Sequence, residues 1–300
     1  MNSNLHESQA VDSFLRFLQQ EKGLSRNTIG AYQSDVEDFL RWANSEKLKI
    51  KDFNNIQQAE KLLKDLTSRN FKGSSIARKV SSIKSFFSFL KQKSFIQDNP
   101  FHDLNIPKIP KTLPKTLSSN EVIKLLNAPN VNSFIGLRDR TMLELMYATG
   151  LRVSELVGLE DSNFDLQRGV LRVFGKGSKE RMVPFGDDAL YWLNQYINFR
   201  RENNLSMNSK YFFISQKLSQ ITREAFWQRI NVYQKEIGLS FKISPHTLRH
   251  AFATHLINNG ADLRSVQMLL GHSDLSSTQI YTHIAKQRLS EMMKKHHPRG

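Results

Sequence analysis

The sequence predicts a mainly α-helical protein with a small β-hairpin or sheet, divided into two domains. Apolar residues recur at helical spacing through residues 1–107, and the period becomes strand-like between 163 and 185. Three prolines and three lysines fall within 105–117, where this density prevents a helix and favours an extended segment. We therefore expect a helical domain over 1–107, a linker over 108–117 and an α+β domain over 118–300.

The first domain is predicted to be a bundle of four helices. Apolar stripes at helical spacing cover 11–18 and 32–42, with a helix start at Ser25, and two more helices are expected over 59–67 and 74–90. Polar and basic side chains around these stripes suit a DNA backbone, although a solvated basic surface would have the same composition. They are Arg26, Asn27, Lys72, Ser74, Ser75, Arg78, Lys79 and Lys84.

The second domain is predicted to combine helices with one hairpin. A helix start at Ser118 precedes an apolar stripe, and a strongly periodic helix over 135–148 ends at Gly150. Residues 170–174 and 181–185 are β-prone, and a lysine- and glycine-rich turn joins them. Further helices are expected over 187–203, 220–238, 246–259, 262–270 and 277–293.

The net charge of +15, from 43 basic and 28 acidic residues, favours a polyanionic partner such as nucleic acid. Residues 108–300 carry most of the excess, with 27 basic and 16 acidic residues. A basic surface kept for solubility, or one that binds an anionic membrane surface, would fit the composition as well.

The absence of cysteine excludes disulfides and thiolate metal sites. The start of the chain, residues 1–10, is polar where a secretory signal needs an apolar core. Since no apolar run approaches the roughly 20 residues of a membrane span, we expect a cytoplasmic protein without membrane insertion.

One stretch, residues 244–281, gathers side chains that could converge on a phosphate. His246 and Arg249 are three residues apart and so share a helix face. His272 follows a glycine that ends a helix, and Tyr281 lies nine residues further on. A tyrosine becomes a nucleophile where cations and imidazoles help to remove its proton, whereas a packed, hydrogen-bonded tyrosine is the alternative.

Two groups from outside this stretch complete the candidate site. Arg152 lies at a predicted helix start, where a guanidinium can grip two phosphate oxygens, and Glu155 is placed to orient it. Lys176 lies at the hairpin tip, from which an ammonium could give a proton to a leaving oxygen. Taken singly, each is as readily a solvated surface residue. Lys179 and Arg181 in the same hairpin are expected to contact the DNA backbone.

The histidines also allow a metal site, because His246 and His250 are four residues apart. The segment lacks the glutamate of a zinc-protease helix, and no thiolate is available. We therefore favour a hydrogen-bonding or acid–base role for His246 and structural roles for His250 and His255, and we expect neither a metal nor a cofactor.

The candidate residues, in their order along the chain, resemble the catalytic set of the tyrosine site-specific recombinase (lambda-integrase-like) family. They are Arg152, Lys176, His246, Arg249, His272 and Tyr281. Longer segments, such as YATGLRVSELVGL (147–159) and PHTLRHAFATHLINNGADLRSVQMLLGH (245–272), resemble its bacterial Xer branch, and the ending HHPRG (296–300) is closer to the XerD group than to the XerC group. This implies a helical, SAM-like core-binding domain and an α+β catalytic domain that clamp DNA.

The resemblance implies a mechanism. Tyr281 would attack the scissile phosphate to give a 3′-phosphotyrosyl enzyme, while Lys176 protonates the leaving 5′ oxygen. Arg152 and Arg249 would stabilise the charge on the phosphate, and the two histidines would hydrogen-bond it or move protons. Neither metal nor ATP would be needed, because the covalent link conserves the bond energy.

The resemblance also implies partners. Four subunits, identical or of two kinds, would assemble on two double-stranded DNA sites, with a C-terminal tail, about 285–300, docked on a neighbour. A XerC-like recombinase and an FtsK-like septal DNA translocase are the expected partners, in the resolution of chromosome dimers at a dif-like site during cell division. A non-cleaving DNA-binding protein of the same fold, a type IB topoisomerase and a metal-dependent nuclease are the alternatives.

Overall fold

The computed structural model describes residues 2–104, 116–175, 180–205, 209–271 and 291–299. The chain divides into two compact units, Met1–Thr112 and Leu113–Gly300. Helices account for most of the described residues, and the strands among them form a small sheet, so the predicted fold class is confirmed. No helix within these ranges is long and apolar enough to cross a membrane.

Four α-helices make up most of the described part of the first unit. They are α1 (Asn2–Gln20), α2 (Arg26–Ser45), α3 (Ile56–Ser68) and α4 (Gly73–Gln92). Ser25 caps α2 as the sequence predicts, because its side chain accepts a hydrogen bond from the backbone N–H of Thr28 at 3.3 Å. Phe101, beyond α4, returns to the core, where its ring centroid lies 4.8 Å from that of Phe87.

An ionic cluster joins α2 to α4, and we call it the Asp35 cluster. The Asp35 carboxylate is 1% exposed and accepts hydrogen bonds from Arg78 and from the Ser82 hydroxyl. Lys79 Nζ lies 2.6 Å from Asp38 Oδ2 and 3.6 Å from Asp35 Oδ1, and its side chain is 10% exposed. The expectation that Lys79 faces a DNA backbone is wrong, because its ammonium is held within the bundle.

Helices also dominate the described part of the second unit. They are α5 (Ser119–Asn127), α6 (Phe134–Thr149), α7 (Val153–Val157), α8 (Asp187–Glu202), α9 (Arg223–Glu236), α10 (Pro245–Asn258) and α11 (Leu263–Leu270). Residues 291–296 are helical as well, whereas most of the predicted helix over 277–293 lies outside the described residues. Ser118 caps α5 in a capping box with Glu121, as its sequence signature indicates.

An antiparallel sheet carries the predicted hairpin. Its strands within the described residues are β1 (Phe164–Asp165), β2 (Val170–Phe174) and β3 (Glu180–Pro184), in the order β1-β2-β3. The register pairs Val170 with Pro184 and Phe174 with Glu180, so the hairpin is confirmed. β1 escapes sequence prediction because two residues show no detectable alternation. The turn residues 176–179 lie outside the described residues.

Helix α6 runs through the core of this unit and positions the site at its end. Its residues from Gly136 to Thr149 are all buried. Gly150 ends the helix in the left-handed conformation with φ 61°, and a Cβ added there would lie 2.4 Å from the Phe252 ring. Only glycine therefore allows α6 to turn this close to α10.

Candidate active site

Arg152 lies where α6 ends and α7 begins. Its backbone N–H donates to Glu155 Oε2 at 2.8 Å, and its Nη1 donates to Glu155 Oε1 at 3.0 Å. The Arg152 side chain is 36% exposed, so the guanidinium keeps one side open to solvent while Glu155 fixes its direction. This is the orienting contact that the three-residue spacing predicts.

Arg249 lies on α10 and is held by backbone carbonyls from two other helix ends. Its Nη1 donates to the Gly150 carbonyl, and its Nη2 donates to the Leu270 carbonyl at 2.6 Å. The pKa of the guanidinium is lowered to about 10, mainly by burial and also by the neighbouring charges of Arg152 and Arg181, while Glu155 raises it in part. A bound anion would favour the charged form and so offset this cost.

Arg181 lies on β3 and faces the interior, which overturns the expectation that it contacts a DNA backbone. It is 5% exposed. Its Nη1 and Nη2 donate to the two carboxylate oxygens of Glu155 at 2.9 and 2.8 Å, and its Nε donates to the Leu269 carbonyl at 3.1 Å. All three contacts join it to the protein, so Arg181 belongs to the framework behind Arg152 and Arg249.

The C-terminal end of α11 forms hydrogen bonds with Arg152, Arg181 and Arg249. The carbonyls of residues 269, 270 and 271 accept hydrogen bonds, in that order, from Arg181 (3.1 Å), Arg249 (2.6 Å) and Arg152 (3.4 Å). The last carbonyls of a helix lack partners inside it and carry its negative partial charge, which explains why guanidinium groups gather there. Gly271 then turns the chain with φ 65°.

We call Arg152, Arg181, Arg249 and Glu155 the arginine cluster. Among the described residues, one carboxylate is shared there by two guanidinium groups, and a third lies close enough to be affected by both. Burial alone would raise the pKa of Glu155, but the hydrogen bonds and charges of Arg181 and Arg152 outweigh it, so the pKa is lowered. The cluster therefore carries a net positive charge and suits an anion such as a phosphodiester.

The structure brings three of the six predicted site residues into its described ranges. Arg152 and Arg249 meet in the arginine cluster, and His246 lies exposed at the start of α10, three residues before Arg249. Lys176, His272 and Tyr281 are outside the described residues. Their roles remain predictions.

His255 has the structural role that we expected. It is 7% exposed, its Nδ1 accepts from the Tyr147 hydroxyl at 2.8 Å, and its Nε2 donates to the Leu117 carbonyl at 2.8 Å. Both ring nitrogens are therefore used to join α6, α10 and the segment before α5. His250 is exposed on α10.

The described end of the chain, residues 291–299, packs on its own unit. His297 is 5% exposed, its ring lies 4.8 Å from that of Tyr147, and its Nε2 donates to the Tyr147 carbonyl at 3.2 Å. Burial lowers the pKa of His297 to about 4. Arg299 donates to Glu144 at 2.8 Å and lies 3.1 Å from Asp188. Aromatic and ionic contacts thus hold this segment.

Comparisons with known proteins place the chain in a family. The Phage integrase family model matches residues 115–288, and the phage integrase N-terminal SAM-like domain matches residues 11–94. Tyrosine recombinase XerD of Proteus mirabilis is 47% identical over 292 residues, which cover 97% of this chain and 93% of that protein. Tyrosine recombinase XerD of Pseudomonas aeruginosa is 47% identical over 295 residues, which cover 98% of this chain and 99% of that protein.

A solved structure of a lambda integrase tetramer bound to a Holliday junction has the same fold. It matches with a TM-score of 0.69 and 20% sequence identity, over 93% of this chain and 82% of that chain. The family model covers more than half of the sequence, so the chain belongs to the phage integrase family.

Within that family the relatives define the class more narrowly. The chain is a tyrosine recombinase of the XerD type. It is a DNA strand transferase that acts in site-specific recombination. The resemblance seen in the sequence is confirmed, and a non-cleaving or relaxing protein of the same fold is not favoured.

Proposed function

We propose that the arginine cluster holds the scissile phosphate of DNA while Tyr281 attacks it. The observation that carries this proposal is the excess of guanidinium groups over carboxylate at the end of α11 in the described part of the second unit. Arg152 and Arg249 supply the N–H donors for the phosphate oxygens, since Arg181 is turned inward. Donors held in place before the reaction stabilise developing charge without further reorganisation.

The proposed reaction is two transesterifications. In the first, the phenol oxygen of Tyr281 bonds to phosphorus and the bond to the 5′ oxygen breaks, which leaves a 3′-phosphotyrosyl link and a free 5′-hydroxyl. Lys176 gives its proton to the departing 5′ oxygen, and an imidazole, His246 or His272, accepts the phenol proton. In the second, a 5′-hydroxyl from another duplex attacks the link and restores the tyrosine. Each step exchanges one phosphodiester for another.

The proposed setting is the resolution of chromosome dimers. Four subunits, with a XerC-like recombinase as the second kind, would bind two copies of a dif-like site in the cytoplasm, under the control of an FtsK-like septal translocase. Support for the tetramer comes from the lambda integrase, which shares the fold and was solved as a tetramer on a Holliday junction. The tail, about 285–300, would exchange the contacts that residues 291–299 make with their own unit for contacts with a neighbouring subunit. Residues 108–117 would link the two domains.

A nicked suicide duplex tests this function. It carries a candidate chromosome-dimer-resolution site in which cleavage releases a short fragment, so that the phosphotyrosyl complex cannot rejoin. Wild-type protein, with and without a second recombinase, should give an adduct that survives denaturation. Tyr281→Phe should bind the duplex and give no adduct, whereas Tyr191→Phe, an exposed tyrosine on α8, should react as wild type does.

Three outcomes would contradict the proposal. They are an adduct in the Tyr281→Phe protein, no adduct from wild type on a site that it binds and recombines, and cleavage that stops when EDTA is added. Relaxation of plasmids that lack any specific site would instead favour the topoisomerase alternative.

A further inference from the structure

We propose that Arg181 is a positioning residue of the strand-transfer reaction, which sets the places of both phosphate-binding arginines without touching DNA. The inference rests on the proposed function of the arginine cluster. Arg181 is 5% exposed, and three of its N–H groups are directed at Glu155 and Leu269. Because this guanidinium is enclosed by protein, it affects the reaction through the groups that it holds in place.

Arg181 acts on Arg152 through the carboxylate of Glu155. Glu155 Oε1 accepts from Arg181 Nη1 at 2.9 Å and from Arg152 Nη1 at 3.0 Å. Glu155 Oε2 accepts from Arg181 Nη2 at 2.8 Å and from the Arg152 backbone N–H at 2.8 Å. Each oxygen thus bridges the two arginines. Without the fork of Arg181, the carboxylate could rotate and Arg152 would lose its fixed direction.

Arg181 acts on Arg249 through the end of α11. Its Nε donates to the Leu269 carbonyl, and the next carbonyl, Leu270, accepts from Arg249 Nη2 at 2.6 Å. Gly271 lies so close that an added Cβ would be 3.2 Å from the Arg181 side chain. Because Leu269 and Leu270 are adjacent, a displaced Arg181 would also shift the Leu270 carbonyl, which fixes Arg249.

The three contacts need a guanidinium and not merely a positive charge. Nε, Nη1 and Nη2 point along the fixed directions of one planar group, and two of them match both oxygens of a carboxylate. A lysine in this place keeps the charge that lowers the pKa of Glu155 but cannot reach Leu269 and both oxygens together. Arg181→Lys keeps the charge and loses the geometry, whereas Arg181→Gln loses both, so a comparison of the two variants separates the two effects.

The experiment measures the single-turnover rate of adduct formation at saturating protein, together with the DNA dissociation constant and thermal unfolding. Arg181→Lys should lower the rate about 10²-fold, because small misplacements of reacting groups cost about that much. Its dissociation constant should change less than about threefold, since the DNA backbone contacts elsewhere dominate affinity.

Arg200→Lys is the matched control. Arg200 is 2% exposed in the same unit, and its Nη1 lies 2.7 Å from Asp161, yet it belongs to a separate ionic pair. Its replacement should lower the unfolding temperature as much as Arg181→Lys does and leave the adduct rate within about threefold of wild type. Equal losses of rate in the two variants, or a wild-type rate in Arg181→Lys, would overturn the inference.

A double-mutant cycle adds a readout that a purely structural role would not change. If Arg181 acts through Arg152 and Arg249, then Arg181→Lys should lower the rate less in an Arg152→Ala background than in wild type. If Arg181→Lys lowers the rate by the same factor in both backgrounds, the inference is overturned. Should Arg181→Gln fail to fold, Arg181→Lys carries the test by itself. An absence of any adduct from wild type would instead count against the proposed function.

Discussion

The two units each contain an ionic cluster, and the two clusters differ in their balance of positive and negative charge. In the described part of the Asp35 cluster, two carboxylates, Asp35 and Asp38, face Arg78 and Lys79, and the exposed Arg41 lies 3.5 Å from Asp38. In the arginine cluster, as far as the structure describes it, three guanidinium groups lie near one carboxylate, that of Glu155, which pairs with Arg152 and Arg181. Asp35, Asp38, Arg78 and Lys79 together carry no net charge, whereas the arginine cluster retains uncompensated positive charge.

This difference separates a stabilising ionic cluster from one that binds a ligand. A neutral cluster recovers part of the cost of burying its charges through its own ion pairs. A cation-rich cluster leaves that cost in place, as the lowered pKa of Arg249 indicates, until an anion arrives. Substitutions in the Asp35 cluster should therefore change stability, and substitutions in the arginine cluster should change the reaction.

The largest expected effect is on the reaction. Arg249→Ala should slow single-turnover adduct formation about 10³-fold, as does the loss of one well-placed oxyanion donor. Arg78→Ala removes the half-exposed cation of the Asp35 cluster and should leave the rate of the bound complex within about threefold of wild type. Comparable losses of rate in both variants would remove the distinction between the clusters.

The next effect concerns the glycine beside Arg249. Gly150→Ala should lower the free energy of unfolding by about 3 kcal/mol, because left-handed strain is combined with overlap against Phe252. It should also slow adduct formation, because it moves the carbonyl that holds Arg249. Gly23→Ala is the control from the first unit. The φ of Gly23 is 59°, and nothing lies within 4 Å of the added Cβ, so the substitution should lower the free energy of unfolding by about 1 kcal/mol. Equal costs in chemical denaturation would contradict this contrast.

Loss of a carboxylate from the neutral cluster should reduce stability without affecting chemistry. Asp35→Asn should lower the free energy of unfolding by about 2 kcal/mol, because Ser82, Arg78 and Lys79 each lose a charged acceptor or neighbour. Urea denaturation measures this loss. The rate of adduct formation in the bound complex should stay unchanged, and a tenfold decrease would show that this cluster takes part in the reaction.

The smallest effect is the binding of a simple anion. Sulfate, exchanged for chloride at constant ionic strength, should stabilise wild type by about 1 kcal/mol at roughly five times its dissociation constant. Since a guanidinium binds sulfate in its charged form, the effect should be present below pH 10 and decline as pH rises through the Arg249 pKa of about 10 and above. Arg249→Gln should reduce the stabilisation, and Arg78→Gln should not. Equal stabilisation of all three proteins would indicate general exclusion of sulfate.

The sequence predicts the two arginines proposed to bind the phosphate better than the residues that support them. Arg152 and Arg249 follow from helix starts and three-residue spacing, which are local signals. Arg181 is expected from its place in the hairpin to contact a DNA backbone, although its alternation with Val183 in the β-prone segment 181–185 indicates a side chain on the same, buried face. The sequence predicts that Lys79 contacts a DNA backbone, because its partners Asp35 and Asp38 lie on another helix and leave no local signal. Contacts between distant segments leave no local pattern, so these assignments required the structure.

The most direct test of the central claim is a change in the charge of the scissile phosphate itself. A duplex with a methylphosphonate at that position lacks one anionic oxygen, so the positive charge of the arginine cluster has less to stabilise. We expect the loss of rate in Arg249→Ala, about 10³-fold on the natural phosphate, to shrink to less than about tenfold on the neutral analogue. A loss of the same size on both substrates would contradict the claim that this cluster neutralises the reacting phosphate.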